Sequence, residues 1–561
     1  MSVETGDMIS RVYGSFRGVD FRGDEVNLAR SPDALNVWRD YKKTQGVETR
    51  PATEIFAEFS EKIFGIYVYG DALIVHSGTK LWRLENGQKT LLYEGVQESR
   101  SAGFVFKSTF YFKDGKHYLQ YNGESMTDVE GYVPTTCIGK SPNGTATTHE
   151  DVNMLSPFRI NSFLSDGTFE YYLDATDIDE DFVPICTVYG EEVTGFTVDY
   201  AEGKIRFEEA PIEPLTAGQD TVLIKFKKTV PGYADNVLRS TLLEVFDNRV
   251  FVSGNPDFPN VVWHSSLYDP TYFSDLDYYR EGLDDAAVRG LAAGNNALWV
   301  FREPNDANTT IFYHTPTTDA KYGKVYPSVH SSVNTGCIGG AINFGDDIVF
   351  FSREGMMGIS GDVTTEQVVA HRSSLVDRKM TALVGYEDMV LAEWDGYLLV
   401  FIGDKVFLAD SRAMFKNEQG AEYEWFYWEL PFAVCAAVVK EGVLYLGTKD
   451  GIYTLTDRQG ALESYWVTPK DKFGAQNKQK TTNKRGCVAE ATGDICVYAK
   501  TENTDFELIG SYTGITDYFT SRIKRKKFKD IQLKFYSQTR MSLESVSLEA
   551  WIGGYIKRYG A

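Results

Sequence analysis

The sequence predicts an all-β chain: a β-propeller of about seven blades, in a range of about six to eight, with an inserted β-sandwich and a C-terminal β-sandwich. Three observations predict it. The first is the stretch Phe64–Tyr93, FGIYVYGDALIVHSGTKLWRLENGQKTLLY, where hydrophobic runs alternate with Gly70-Asp71, Gly78-Thr79 and Asn86-Gly87. These dipeptides give the backbone freedom that tight hairpin turns need, and β-branched and aromatic residues fill the runs, so the stretch reads as a small antiparallel meander. Such a sheet cannot hide both faces from water alone and needs neighbours of its own kind.

The second observation is that the neighbours exist. The pattern returns at Ser99–Tyr132, Leu242–Ser274, Val288–His314, Ile338–Val369, Thr381–Trp428 and Phe432–Leu462. Its alignable core is an apolar run, a turn of Gly, Asp or Asn, and a second apolar run: YGDALIV, FDNRVFV, GNNALWV, FGDDIVF, WDGYLLV and KEGVLYL. A period of about forty to fifty residues is that of propeller blades, and a β-sandwich does not repeat in this way. The third observation is composition: 34 Tyr, 35 Phe and 50 Gly in 561 residues favour strands and turns over helices.

In chain order, residues 1–60 read as an extended lead-in, 61–150 as the first two blades, 151–235 as the inserted sandwich, 236–464 as the remaining blades and 465–561 as the C-terminal sandwich. The insert shows short strands broken by SDG, YGEE, AEGK and AGQD turns. The C-terminal region opens as a polar, basic loop and returns to alternation in FKDIQLKFYSQTRMSLESVSLEAWIGGYIKR.

The bulk numbers exclude several classes. No apolar run reaches the roughly eighteen residues of a membrane-spanning helix, and MSVETGDMISRVYG lacks the basic-then-apolar pattern of a secretion signal. The six cysteines are scattered without a CxxC pair, which suits buried thiols in a reducing cytosol. The seven histidines never fall at ligand spacing, so neither a metal nor a cofactor is expected. A net charge of −22 argues against wrapping nucleic acid, although an acidic wall that repels DNA would let it slide.

Catalytic patterns were weighed in the same way. GxSxG, P-loop and HExxH motifs are absent, and the paired acids Asp284-Asp285 and Asp346-Asp347 fall at turns, so no catalytic residue is assigned. The acidic run Asp177–Asp181 lacks the spacing and glycine of a calcium loop and reads as a solvated turn. The aromatic clusters Tyr268–Tyr279 and Tyr423–Trp428 read as blade core, with exposed parts available to subunit interfaces. One basic cluster stands out in the acidic chain: Arg522, Lys524, Arg525, Lys526, Lys527 and Lys529, with Lys484 and Arg485 ahead of it. It reads either as a solvated strand edge that blocks edge-to-edge pairing or as an electrostatic dock for an acidic neighbour, a subunit or DNA phosphate.

Three stretches carry a family resemblance. Ser31-Pro32-Asp33-Ala34-Leu35-Asn36-Val37-Trp38, followed by Glu48-Thr49-Arg50-Pro51, is similar to the opening of phage propeller proteins, with Ala52 where they usually have glycine. The insert's FTVDYAEGKIRFEEAP resembles small β-sandwich modules of phage tail proteins. KTTNKRG and the final SLEAWIGGYIKR resemble their C-terminal domain. The resemblance implies a structural virion protein of a phage tail, a hub or nozzle assembled in the bacterial cytoplasm. Its partners would be further copies of itself in a cyclic oligomer, typically a hexamer, the portal or adaptor, other tail proteins, and double-stranded DNA in passage, with no membrane. A receptor- or carbohydrate-binding tail protein is the alternative, and a tail-associated glycosidase the third.

Overall fold

The computed structural model describes residues 7–555 apart from 44, 215, 321–322, 332–334, 361–367, 418–419, 459, 503 and 524–526. The described chain is nearly all β, with propeller-like four-stranded meanders; its helices are the short Tyr233–Leu238, Asp377–Met380 and Tyr386–Asp388. The chain divides into two compact units, one of Met1–Val68 with Cys337–Ala561, the other of Tyr69–Gly336.

Ala72–Ser77, Lys80–Glu85 and Gln88–Glu94 of the second unit follow one another in the first meander, with Ile63–Tyr69 as its leading strand. The turn after Lys80–Glu85 has Asn86 at φ 50° and Gly87 at φ 76°, the left-handed pair that a two-residue hairpin loop needs. The second meander is Ala102–Phe106, Thr109–Lys113, Tyr118–Tyr121 and Met126–Asp128. The third runs through Leu242–Phe246, Arg249–Ser253, Val261–His264 and Tyr278–Arg280, and the fourth through Val288–Gly294, Ala297–Arg302, Ile311–His314 and Ser328–His330. Their leading strands lie side by side: Ala102–Phe106 against Leu242–Phe246, and that against Val288–Gly294. The insert therefore leaves the succession of meanders intact.

The insert is two sheets sharing one core. A six-stranded sheet from Thr135–Lys140 to Val222–Lys227 and a three-stranded sheet of Glu170–Tyr172, Phe196–Asp199 and Lys204–Phe207 enclose Phe163, Tyr171, Ile205, Phe207, Ile224 and Phe226. It starts earlier than the sequence reading, which put 135–150 with the first blades. Thr135–Lys140 pairs in parallel with Phe158–Phe163, a long-range pairing with no turn signature of its own.

The first unit holds the remaining meanders. One is Ala341–Phe344, Asp347–Ser352, Gly355–Ser360 and Val368–His371; the next is Val390–Trp394, Tyr397–Ile402, Lys405–Asn417 and Gly420–Glu429. The last has Ala436–Lys440, Val443–Gly447 and Gly451–Thr456, and its fourth strand is Ala52–Glu58 from the start of the chain. The lead-in is thus paired into the sheets. Met8–Tyr13 pairs with Met541–Tyr555, Ala34–Leu35 with Ser464–Val467, and Val47–Thr49 with both Val37–Trp38 and Met541–Tyr555.

The C-terminal region is organised on the 24-residue strand Lys478–Thr501, which pairs with Met541–Tyr555, Ile531–Ser537, Glu507–Ile515 and Tyr518–Ser521. Part of the expected basic loop is therefore strand. Its polar backbone is satisfied across the sheet, and Cys487, Ala489, Val497, Leu533, Phe535 and Leu548 form the core beneath it.

Candidate functional site

The most concentrated polar chemistry in the first unit is the segment Arg30–Pro51, which ties the chain start to the Gly420–Glu429 strand and to the C-terminal strands. Ser31 Oγ donates to Val467 O at 2.7 Å and accepts from Val467 N at 3.2 Å. The Arg30 guanidinium grips Glu424 through two bonds of 2.7 Å, both side chains buried. This is the bidentate fork geometry that makes arginine–carboxylate pairs strong. Asn36 sits at φ 54°, where Asn is among the few residues tolerated. Its Oδ1 accepts from Arg50 Nε at 3.0 Å and Glu429 N at 2.9 Å, and its Nδ2 donates to Glu463 O at 2.9 Å.

The rest of the segment packs and pairs as specifically. Trp38 stacks on Trp394 at 5.3 Å and meets Trp428 edge-on at 5.7 Å, while Trp428 Nε1 donates to Val37 O at 3.2 Å. Glu48 accepts from Arg540 at 3.0 Å, and Thr49 Oγ1 accepts from Met541 N at 3.0 Å. Gly46 is needed because a Cβ there would lie 2.1 Å from Leu543 O. Ala52 opens an ordinary strand opposite Thr456, so its methyl group in place of the usual glycine is no obstacle. The side chains that carry the N-terminal resemblance thus form one clasp across three parts of the chain.

The expected basic dock is only partly assembled among the described residues. Arg485, Arg522, Lys527 and Lys529 are exposed, and the pairing of Cys487 with Ser521 puts Arg485 and Arg522 at the same end of two neighbouring strands. Lys529 N donates to Glu502 at 2.9 Å. Lys480, in the same KTTNKRG stretch, is buried and donates to Lys529 O at 2.7 Å and to Ala475 O, so it serves the sheet rather than the surface. Lys524, Arg525 and Lys526 lie outside the described residues, as does the side chain of Lys484.

Two histidine clusters, one buried and one half-buried, can be tested for catalytic geometry. In the second unit, His314 Nδ1 is 2.9 Å from Tyr326 O and Nε2 is 3.0 Å from Glu281 Oε1, while Ser328 Oγ donates to Glu281 Oε2 at 2.5 Å. A carbonyl only accepts, so Nδ1 donates to Tyr326 O. His314 and Glu281 are both fully buried, which closes them to substrate. Across the Tyr279 ring, His264 is pushed down to about 4, and Asp277 nearby is pushed up to about 6, each by burial.

In the first unit, His371 Nε2 lies 2.7 Å from Asp377 Oδ2 and Ser373 Oγ donates to Asp377 Oδ1 at 2.5 Å. The carboxylate stands between serine and histidine, so the imidazole is not placed to take the serine proton. Asp377 holds the His371 imidazolium above the usual range.

The acidic turn of the insert is occupied by its own lysines. Lys227 Nζ is 2.5 Å from Asp181, Lys228 Nζ donates to Asp177 O at 2.7 Å, and Asp179 accepts from Thr229 N at 3.0 Å. Among the described residues no group of three or more His, Cys, Asp or Glu is placed to hold a metal ion, and no helix is long and apolar enough to cross a membrane.

No family model and no curated protein matches the chain. Among solved structures, BamB from Moraxella catarrhalis overlaps at a TM-score of 0.32 and 11% identity, covering 73% of this chain and 97% of that one. YCF48 bound to D1 peptide overlaps at 0.33 and 6%, covering 73% and 98%. An exo-beta-1,3-galactanase from Phanerochaete chrysosporium overlaps at 0.22 and 9%, covering 55% and 95%. Overlaps this loose assign the chain to no family and say nothing of its activity.

Proposed function

We propose that this protein is a structural component of a bacteriophage tail, one subunit of an oligomeric ring, hub or nozzle, that extends the DNA exit channel. In this reading the meanders are seven propeller blades. The last is closed by Ala52–Glu58 from the chain start. The insert and the C-terminal strands are β-sandwiches that reach neighbours. The role is mechanical rather than enzymatic.

The observation that supports this best is the clasp. Motif residues separated by most of the sequence, in Ala34–Leu35, Val37–Trp38 and Val47–Thr49 at one end and the strands holding KTTNKRG and SLEAWIGG at the other, belong to one sheet. Their polar groups bond to backbone and to each other, as Asn36, Ser31 and Thr49 do. A wall segment that resists shear needs this joining of its chain ends. The net charge of −22 supports a conduit to which DNA does not adhere.

Mass photometry of the purified protein tests the reading. A discrete cyclic oligomer, stable on dilution and sensitive to salt, is expected. A monomer at every concentration, together with glycan binding on an array, would favour the receptor-binding alternative instead.

A further inference from the structure

One face of the C-terminal sheet is left without a partner. Met8–Tyr13 pairs only with Met541–Tyr555 among the described residues, with Met8 opposite Trp551 and Val12 opposite Ser547. Alternation along these strands turns Met8, Val12 and Trp551 to solvent, and Tyr13 and Leu548 to the core. The same side continues through Val488, which stands opposite Ser547 and Thr520, to Tyr518. Met8, Val12, Trp551 and Tyr518 are 51, 62, 42 and 63% exposed. Scattered exposed apolar residues are ordinary, but four on one sheet face with an open strand edge mark an interaction surface.

Cations border this face and its acids are already engaged. Arg485 lies in the bulge between Thr482 and Cys487, where Asn483 donates to Glu549 at 2.7 Å. Arg522 directly follows Tyr518–Ser521, and Lys527 precedes Phe528, which bridges to Lys480. All three cations are exposed, and none has an ion pair among the described residues. Glu490, on the face itself, accepts from Ser545 Oγ at 3.3 Å and from Tyr518.

One end of the insert is complementary. Tyr189 and Ile212 are exposed there, and Tyr189 Oη donates to Glu213 O at 2.9 Å. Glu191 and Glu192, on an edge strand, and Glu208, Glu209 and Glu213 are exposed around them, without an ion pair among the described residues. Glu208 N donates to Gly195 O at 2.9 Å, which holds the two stretches together. The wider charge runs the same way. Residues 135–230 carry 17 acidic against 7 basic side chains, and residues 465–561 carry 17 basic against 10 acidic.

We propose that the end of the insert carrying Tyr189 and Ile212 docks on the Met8–Trp551 face of a second copy of this chain. Apolar side chains meet at the centre, and the glutamates reach Arg485, Arg522 and Lys527 at the rim, the usual anatomy of an interface. The two surfaces differ, so the contact is heterologous, and each copy offers both. The inference rests on the ring reading above and names the surfaces that join its subunits.

The test is mass photometry of the full chain and two variants, Trp551→Glu on the sheet face and Ile212→Arg on the insert. Each alone should weaken self-association by about ten-fold or more, because each removes one half of every contact. An equal mixture of the two should form a discrete dimer, because one intact copy of each surface remains between them. Arg522→Glu serves as a milder second variant should the tryptophan change disturb folding, which thermal unfolding reads. Oligomers that all the variants leave unchanged would overturn this contact and leave the ring reading standing. A mixture that stays monomeric would show that the two surfaces are not partners, and a wild-type chain that is monomeric at every concentration would overturn both.

Discussion

The meanders and the clasp hold together by opposite means. In a meander such as Ala297–Arg302 against Val288–Gly294 and Ile311–His314, stability comes from many interchangeable apolar contacts, with Leu298, Val300 and Phe312 buried in one cluster. In the clasp it comes from single polar side chains, each with a named partner that no neighbour can replace: Arg30 with Glu424, Asn36 with three backbone or side-chain groups, Thr49 with Met541 N. Substitution should therefore be tolerated in the one and not in the other.

The sharpest break of that contrast is Glu424→Ala. It leaves Arg30 buried and unpaired, and should cost about 3–5 kcal/mol of stability in urea unfolding, against about 1 kcal/mol for an Ile311→Val change in a meander. Near-equal losses would mean that the clasp is no more specific than the sheets.

Next in size is a pH effect that separates the two units. In the second unit, burial lowers His76 and His264 each to about 4. The unfolded chain then binds more protons between about pH 4 and 6.5, so stability falls as pH drops through that window. Glu244, raised by burial to about 7, and Asp277, raised to about 6, work in the opposite sense, although the Asp277 side chain is 35% exposed and its share is screened. The buried His76 alone should account for a loss on the order of 3 kcal/mol near pH 4, while Glu244 and Asp277 offset the share of His264. In the first unit, His371 is raised by Asp377, so its contribution is present below its unfolded value and is lost as pH rises through the folded one. His76→Gln should therefore reduce the loss of protection that hydrogen exchange reads in Tyr69–Gly336 on acidification, and an unchanged slope would mean that His76 carries none of it.

A smaller effect is expected at Asn36. Asn36→Ala removes the side-chain bonds to Arg50, Glu429 N and Glu463 O and keeps an unfavourable φ, for about 1–3 kcal/mol, read as a lowered urea midpoint. The smallest effect belongs to the surface. Alanine at Arg522, Lys527 and Lys529 together should change monomer stability by about 0.5 kcal/mol or less. If these side chains dock an acidic neighbour, the same variant should lower the salt concentration at which oligomers dissociate. Unchanged assembly would leave them as a solvated edge.

The contrast also explains what the sequence disclosed. Meanders were legible because their signals are local: Asn86-Gly87 or Asp247-Asn248 announces a turn, and the runs on either side announce strands. The partner of the last meander was not, because nothing in Ala52–Glu58 says that it pairs with Gly451–Thr456 some four hundred residues on. Thr135–Lys140 was placed with the wrong sheet for the same reason. The clasp was visible as a motif, in Ser31–Trp38 and Glu48–Pro51, but Arg30 and Glu424 carry no local sign of each other. Arg50 could be read as part of a phrase, while its bonds to Asn36 and Glu429 O appear only once its surroundings are assembled. Lys480 looked like one more cation of a basic loop until the sheet buried it.

The most direct test of the central claim is a cryo-electron-microscopy reconstruction of the assembled protein. The account predicts a closed ring of identical subunits around a channel wide enough for double-stranded DNA, with the insert and the C-terminal strands at subunit contacts. A monomer, or a trimer on a peripheral fibre with no central channel, would contradict it.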